Sequence, residues 1–173
     1  MNRNLITLAA SVLALALPGL AHAQTSASTS ANGSTTIMRP ITITKTADLA
    51  FGKIVRPGTG SGTVTMANSA DTVAAAAGAV AVAGGSTSRA KFTIDGEGGQ
   101  AVSVTVPSSF TMSKGVDSIT VSLSPDLGSS VTLSNALGAA GSASLNVGGN
   151  FSLPSTLATG LYTGSFTVTV AYQ

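Results

Sequence analysis

The chain has 173 residues, 20 of them glycine, with no cysteine, no tryptophan and only 8% charged residues. That charge content is far below the quarter usual for a soluble globular domain, which argues against a cytosolic enzyme. With 43% hydrophobic residues there is ample apolar material to bury, which argues against disorder.

The opening MNRNLITLAASVLALALPGLAHA reads as a secretory signal peptide over residues 1–23. Arg3 supplies the positive n-region, Leu5 to Leu17 the apolar h-region, and Ala21-His22-Ala23 the cleavage site. The apolar run is shorter than the roughly 20 residues a membrane span needs, so no stable span is expected after cleavage. Cleavage removes the single histidine, and the loss of Arg3 leaves seven basic residues against six acidic ones. The basic residues Arg39, Lys45, Lys53, Arg56, Arg89, Lys91 and Lys114 are scattered. Nucleic acid would require them clustered, so it is not expected as a partner.

Residues 24–36, QTSASTSANGSTT, have the small, polar composition of a flexible N-terminal arm. From Ile37 to Gln173 the texture is that of one β domain. Ile41 and Ile43 share a face after Pro40, and Leu49 and Phe51 alternate before Gly52, which is expected to break the run. Val64 and Met66 resume the pattern. The alanine-rich segment Asp71 to Gly85 favours helix by propensity, but Gly78 interrupts it and Val80 and Val82 alternate, so short strands are predicted. Ala90, Phe92 and Ile94 form a clear strand face, with Asp95-Gly96 as turn chemistry.

Val102, Val104 and Val106 mark a strand stopped by Pro107; Ile119, Val121 and Leu123 mark another stopped by Pro125. The fragments SVTL, ASLNV and NFSL follow, separated by Gly or Asn. The terminal GLYTGSFTVTVAYQ places Tyr162, Phe166, Val168, Val170 and Tyr172 on one face. Many short strands between turn residues predict an all-β sandwich or barrel.

Chemistry is sparse. Without Cys or a retained His, nucleophile–base dyads and most transition-metal sites are excluded, so no catalytic, cofactor or metal residue is assigned. Asp95 and Glu97 beside glycines could ligate calcium, but too few oxygen donors are in register and a hairpin turn is favoured. The fragment GEGGQA lacks the helix a phosphate loop needs, and Ser88 with Lys91 lacks its companion motifs. Asn32-Gly33-Ser34 and Asn150-Phe151-Ser152 match the glycosylation triplet, which a Ser-rich chain meets by chance.

The stretches PITITKTADLAFG, FTIDGEGG and GLYTGSFTVTV resemble the exported bacterial domain of unknown function 4402 family, over about Thr36 to Gln173. More distantly they are similar to spore-coat-U-like proteins and archaic chaperone–usher pilins, which also carry an early L-x-F-G strand and a T-V-T-V ending. Those pilins tend to have a glycine at the start of the last strand and a penultimate tyrosine, where this chain has Gly160 and Tyr172.

The resemblance implies an immunoglobulin-like, pilin-like β-sandwich lacking its last strand, in a structural subunit of a fimbria-like polymer. A periplasmic chaperone would fill the gap, an usher would export the subunit, and like subunits would form a homopolymer through donor-strand exchange. Gly160, Tyr162, Phe166, Val168, Val170 and Tyr172 would form the docking edge. The segment Gln24 to Met38 would be the donor arm, inserting Ala27, Ala31, Gly33 and Ile37. The protein would then lie in the periplasm, at the cell surface or in an extracellular fimbria, with a role in adhesion.

Two features depart from that pattern: the chain has no cysteine for a pilin disulfide, and the arm offers mostly alanine. The arm reads equally as a disordered leader, and the last strand as ordinary core of a complete sandwich. The alternative is a self-sufficient periplasmic or surface β-sandwich that binds glycan or protein through its loops.

Overall fold

The computed structural model describes residues 26–173; the expected signal peptide at residues 1–23 lies outside them. Residues 26–35 belong to a unit of their own, exposed and without regular structure. Thr36–Gln173 forms a compact all-β unit, sandwich-like, with no helix among the described residues.

Its strands are β1 (Thr42–Ala47), β2 (Ala50–Val55), β3 (Ser61–Met66), β4 (Val73–Ala76), β5 (Val80–Ser88) and β6 (Ala90–Glu97). After these come β7 (Ala101–Thr105), β8 (Ser109–Lys114), β9 (Asp117–Pro125), β10 (Ser130–Thr132), β11 (Ala140–Pro154) and β12 (Thr169–Tyr172). All pairings are antiparallel.

The organising strand is β11, 15 residues long. Its first half pairs with β6, which in turn pairs with β1; its second half pairs with β3, which continues to β4. On the opposite edge it pairs with β9, and β9 with β8. At Val147 both edges are occupied, by Ala90 and Pro125, and at Gly149 by Met66 and Leu123. Hence β6 and β3 follow one another along a single edge of β11. SVTL supplies β10, whereas ASLNV and NFSL, expected to be separate, are thus one strand. Its glycines admit close backbone approach: a Cβ on Gly148 would lie 2.3 Å from the Met66 carbonyl oxygen.

The alanine-rich segment forms β4 and β5, as its alternation predicts. Ala77 and Gly78 both have positive φ (54° and 85°), the mark of a type I′ turn. The two strands then part, β4 to β3 and β5 to β2, so residues 50–66 and 73–88 make one long bent hairpin. Gly52 does not end its strand, contrary to the sequence expectation. It sits inside β2 at φ 71°, where the register shifts, and Gly85 of β5 approaches its backbone.

A third sheet runs β10-β7-β12. It meets the β6–β11 layer through Leu133 and Tyr172, both of which crowd the Cα of Gly96. The Asp95-Gly96 pair is therefore not a turn but the end of β6, and the turn falls on Gly98-Gly99 instead. Gly96 lies where it does because the Tyr172 ring occupies the space a side chain would need.

The core follows from the period-two patterns. Val64 and Met66 of β3, Ile94 of β6, Val102 of β7, Val121 of β9, and Leu145 and Val147 of β11 are buried almost completely, with Leu133 beside them. Burial of each such side chain contributes about 1.5–3 kcal/mol. The last stretch of the chain is different. Only Thr169–Tyr172 is strand, and Tyr162, Phe166, Val168, Val170 and Tyr172 are half-buried around the core rather than central to it.

Candidate docking groove

Strand β2 pairs with β5 on one edge only; among the described residues its other edge carries no strand. Strand β8 pairs with β9, and its outer edge meets the terminal segment at a single point. There Ser113 N–H donates to the Thr163 carbonyl at 2.8 Å and Thr163 N–H donates back at 3.2 Å. Gly164 is pressed onto β8 so closely that a Cβ would lie 2.1 Å from the Thr111 carbonyl oxygen. From Gly164 to Val168 the chain forms no ladder, until Thr169 joins β7.

Between the outer edge of β2 and residues 157–162 lies a cavity of about 1050 Å³. Leu49 to Gly58 form one wall and Leu157 to Tyr162 the other, with Met112, Ile119, Phe151 and Leu153 among the lining. The walls run antiparallel: the Arg56 guanidinium donates to the Leu157 carbonyl, while Leu49 borders a smaller cavity of about 210 Å³ shared with Gly164, Ser165 and Phe166. Both cavities border Leu49, so they adjoin as one seam.

Aromatic contacts build the seam's framework. Phe51 packs edge-on to Phe151 at 4.9 Å between centroids, and Phe166 packs on Phe110 at 5.1 Å and Phe92 at 6.3 Å. Such pairs add to the stability that buried area alone supplies. Tyr162 points its hydroxyl to the Ala158 carbonyl, 2.8 Å away. Burial, then the negative charge of Asp117, pushes the Tyr162 phenol up from its usual range, with Arg56 opposing.

The expected docking residues therefore divide. Tyr162 lines the larger cavity and Phe166 the smaller one, and Gly160, at φ 144° against the Lys114 side chain, is the wall's bend. Val168, Val170 and Tyr172 lie beyond the seam, the last two in the β7–β12 pair. The expected arm residues Ala27, Ala31 and Gly33 are exposed and irregular, and Ile37 is 88% exposed. Sequence reading missed β8, although Phe110 and Met112 alternate within it and both border the seam.

Two polar clusters stand apart from the groove. Glu97, 3% exposed, accepts hydrogen bonds from the N–H groups of Arg39 and Gly138 and faces the Arg39 guanidinium at 3.8 Å. Asp71 binds Lys91 Nζ at 2.6 Å and the Arg89 N–H at 3.1 Å, and Arg89 reaches Asn146, which is held by Asp126. These fasten loops to β6 and β11. Among the described residues no group of His, Cys, Asp and Glu is arranged to hold a metal ion, and no helix is long and apolar enough to cross a membrane.

These features define an all-β, sandwich-like domain with an apolar seam between strand edges. The chain belongs to the family described as Domain of unknown function (DUF4402), whose model matches residues 41–172. No curated protein and no solved structure matches the chain significantly.

Proposed function

We propose that this protein is an exported structural subunit of a fimbria-like surface polymer, assembled by donor-strand exchange. The observation that carries the reading is the seam itself: the free edge of β2 and the unpaired residues 157–162 face each other across about 1050 Å³ with a mainly apolar lining. An extended segment laid there would add main-chain hydrogen bonds to free edges and place alternate side chains in the cavity, the physics of strand addition. A periplasmic chaperone would occupy the seam first, an usher would pass the subunit outward, and the arm of a like subunit would replace the chaperone strand. Adhesion would be a property of the resulting polymer.

A second reading draws on the polar groups of the larger cavity. Arg56, Lys53 and Tyr162 border the same cavity and would suit a self-sufficient sandwich that binds glycan hydroxyls or a protein loop. Deletion of Gln24 to Met38 separates the two. Under the polymer reading the deletion abolishes polymers on electron micrographs and leaves chaperone binding intact; polymers that persist without the arm overturn it.

A further inference from the structure

We propose that the larger cavity is a binding site for a single-chain anionic amphiphile. The ligand is a long-chain fatty acid, its alkyl tail on the apolar floor and its carboxylate held by Arg56 at the rim. The inference concerns what an unassembled subunit takes up and does not rest on strand exchange.

The basic residues of the described chain divide by their partners. Arg39 pairs with Glu97, Lys45 with Asp48, and Arg89 and Lys91 with Asp71. The other three, Lys53, Arg56 and Lys114, make no ion pair among the described residues. Although scattered in sequence, they converge in space. Lys53 and Arg56 line the larger cavity, and the Lys114 stem packs on Gly160 in its wall. No aspartate or glutamate is part of that lining. Asp117, whose charge reaches Tyr162, stands opposite Lys114 in the β8–β9 ladder and outside the lining. Cations left without carboxylates beside an apolar surface attract an anion more strongly than they would in open water.

The rest of the lining calls for hydrocarbon. Phe51, Ile119, Phe151 and Leu153 form a buried floor. Val55 and Leu161 line the same cavity at 53% and 81% exposure, apolar surface that an alkyl chain would take out of water. The wall from Leu49 to Arg56 runs roughly 25 Å along its strand, so a long chain matches it better than a short one. The volume of about 1050 Å³ stands at the upper end of the roughly 300–1,000 Å³ usual for small-ligand sites. At the rim Arg56 is already positioned, because its guanidinium donates to the Leu157 carbonyl of the opposite wall. A guanidinium carries several further N–H donors in a planar fork. Those are open to both oxygens of a carboxylate, the geometry that makes such pairs strong.

The test uses the chain from Gln24 onward, taken as monomer from size exclusion, and the fluorescent fatty acid cis-parinarate. The expected result is saturable uptake of one probe per chain, displaced by palmitate. Palmitoylcholine, with the same tail and a cationic head, should compete at least tenfold more weakly. Octanoate should fall further behind palmitate, since each buried methylene is worth about fourfold in affinity. Arg56→Gln should weaken palmitate about tenfold and leave palmitoylcholine unchanged, a split that a merely structural role would not give. Leu161→Glu should weaken palmitate as well, by setting a like charge beside its head. Lys45→Gln makes the same charge change as Arg56→Gln outside the larger cavity and should leave palmitate binding unchanged. All three positions are exposed, and surface changes of this kind leave folding intact. Equal competition by palmitoylcholine, or undiminished palmitate binding by Arg56→Gln, overturns the carboxylate–Arg56 contact and the proposal with it. Absence of saturable uptake overturns it outright. Neither result bears on polymer formation, which deletion of the arm reads separately.

Discussion

The phenolic oxygen of Tyr172 lies 2.6 Å from the backbone nitrogen of Glu97 and accepts its N–H, while donating to the Arg39 carbonyl 2.9 Å away. One side chain near the C-terminus thus joins the end of β6 to the start of the folded domain. Tyr172→Phe removes both bonds and leaves the Glu97 N–H buried without a partner. Such a loss costs about 1–3 kcal/mol, to be read as a lower urea midpoint at unchanged slope.

Gly148 tests the long strand. A side chain there meets backbone on the β3 side, with the Met66 carbonyl oxygen at 2.3 Å and atoms of Ala67 and Asn68 at 2.7 Å. Backbone cannot swing aside as a flexible side chain can. Gly148→Ala should cost about 1–3 kcal/mol or more, the range for overpacking. Gly128→Ala, with open space around its Cα and no positive φ, is the control expected to be near neutral. Chemical denaturation of both variants measures the difference.

Glu97 sets part of the acid limb of stability. Its carboxyl lies below the ordinary 4.5, first because the Gly138 N–H binds it, then because of the Arg39 N–H and charge, with burial opposing. A depressed folded-state value means that its stabilisation is full above about 4.5 and is lost as pH falls through the lower folded value. Asp71, lowered by Lys91 and then Arg89 from 3.8, adds loss in the same direction. Unfolding midpoints measured from neutral pH downward should fall in this window. Glu97→Gln should be less stable at neutral pH and show a shallower decline on acidification.

The arm can also be supplied in cis. A copy of residues 24–38 joined after Gln173 by a long flexible linker should raise stability by about 3 kcal/mol. The six side-chain carbons of Ile37, Ala27 and Ala31 at about 0.8 kcal/mol each give about 5 kcal/mol, reduced by the entropy of ordering the arm. It should also suppress self-association in light scattering. An unchanged midpoint would show that the copied arm does not settle in the seam.

What the sequence by itself determined is the all-β class and most strand faces. Alternation at Val64 and Met66, Val102 and Val104, or Ile119, Val121 and Leu123 is a local property, and each of these residues is buried. Glycine carried no such local meaning. Gly52 and Gly148 continue strands that their neighbours in sequence suggested would end, and Gly96 sits in a strand despite the turn chemistry of Asp95-Gly96. Each is glycine because of a group brought from far along the chain, Thr87 at Gly52 (whose φ of 71° also favours glycine), Met66 at Gly148 and Tyr172 at Gly96.

Tertiary structure alone decided the fate of the terminal stretch. Its alternation is as regular as that of any core strand, yet only Thr169–Tyr172 finds a ladder. The period fixes which side chains share a face, whereas pairing depends on which backbone arrives alongside. From Gly164 to Val168 no ladder forms, and Gly164 to Phe166 border the smaller cavity beside Leu49.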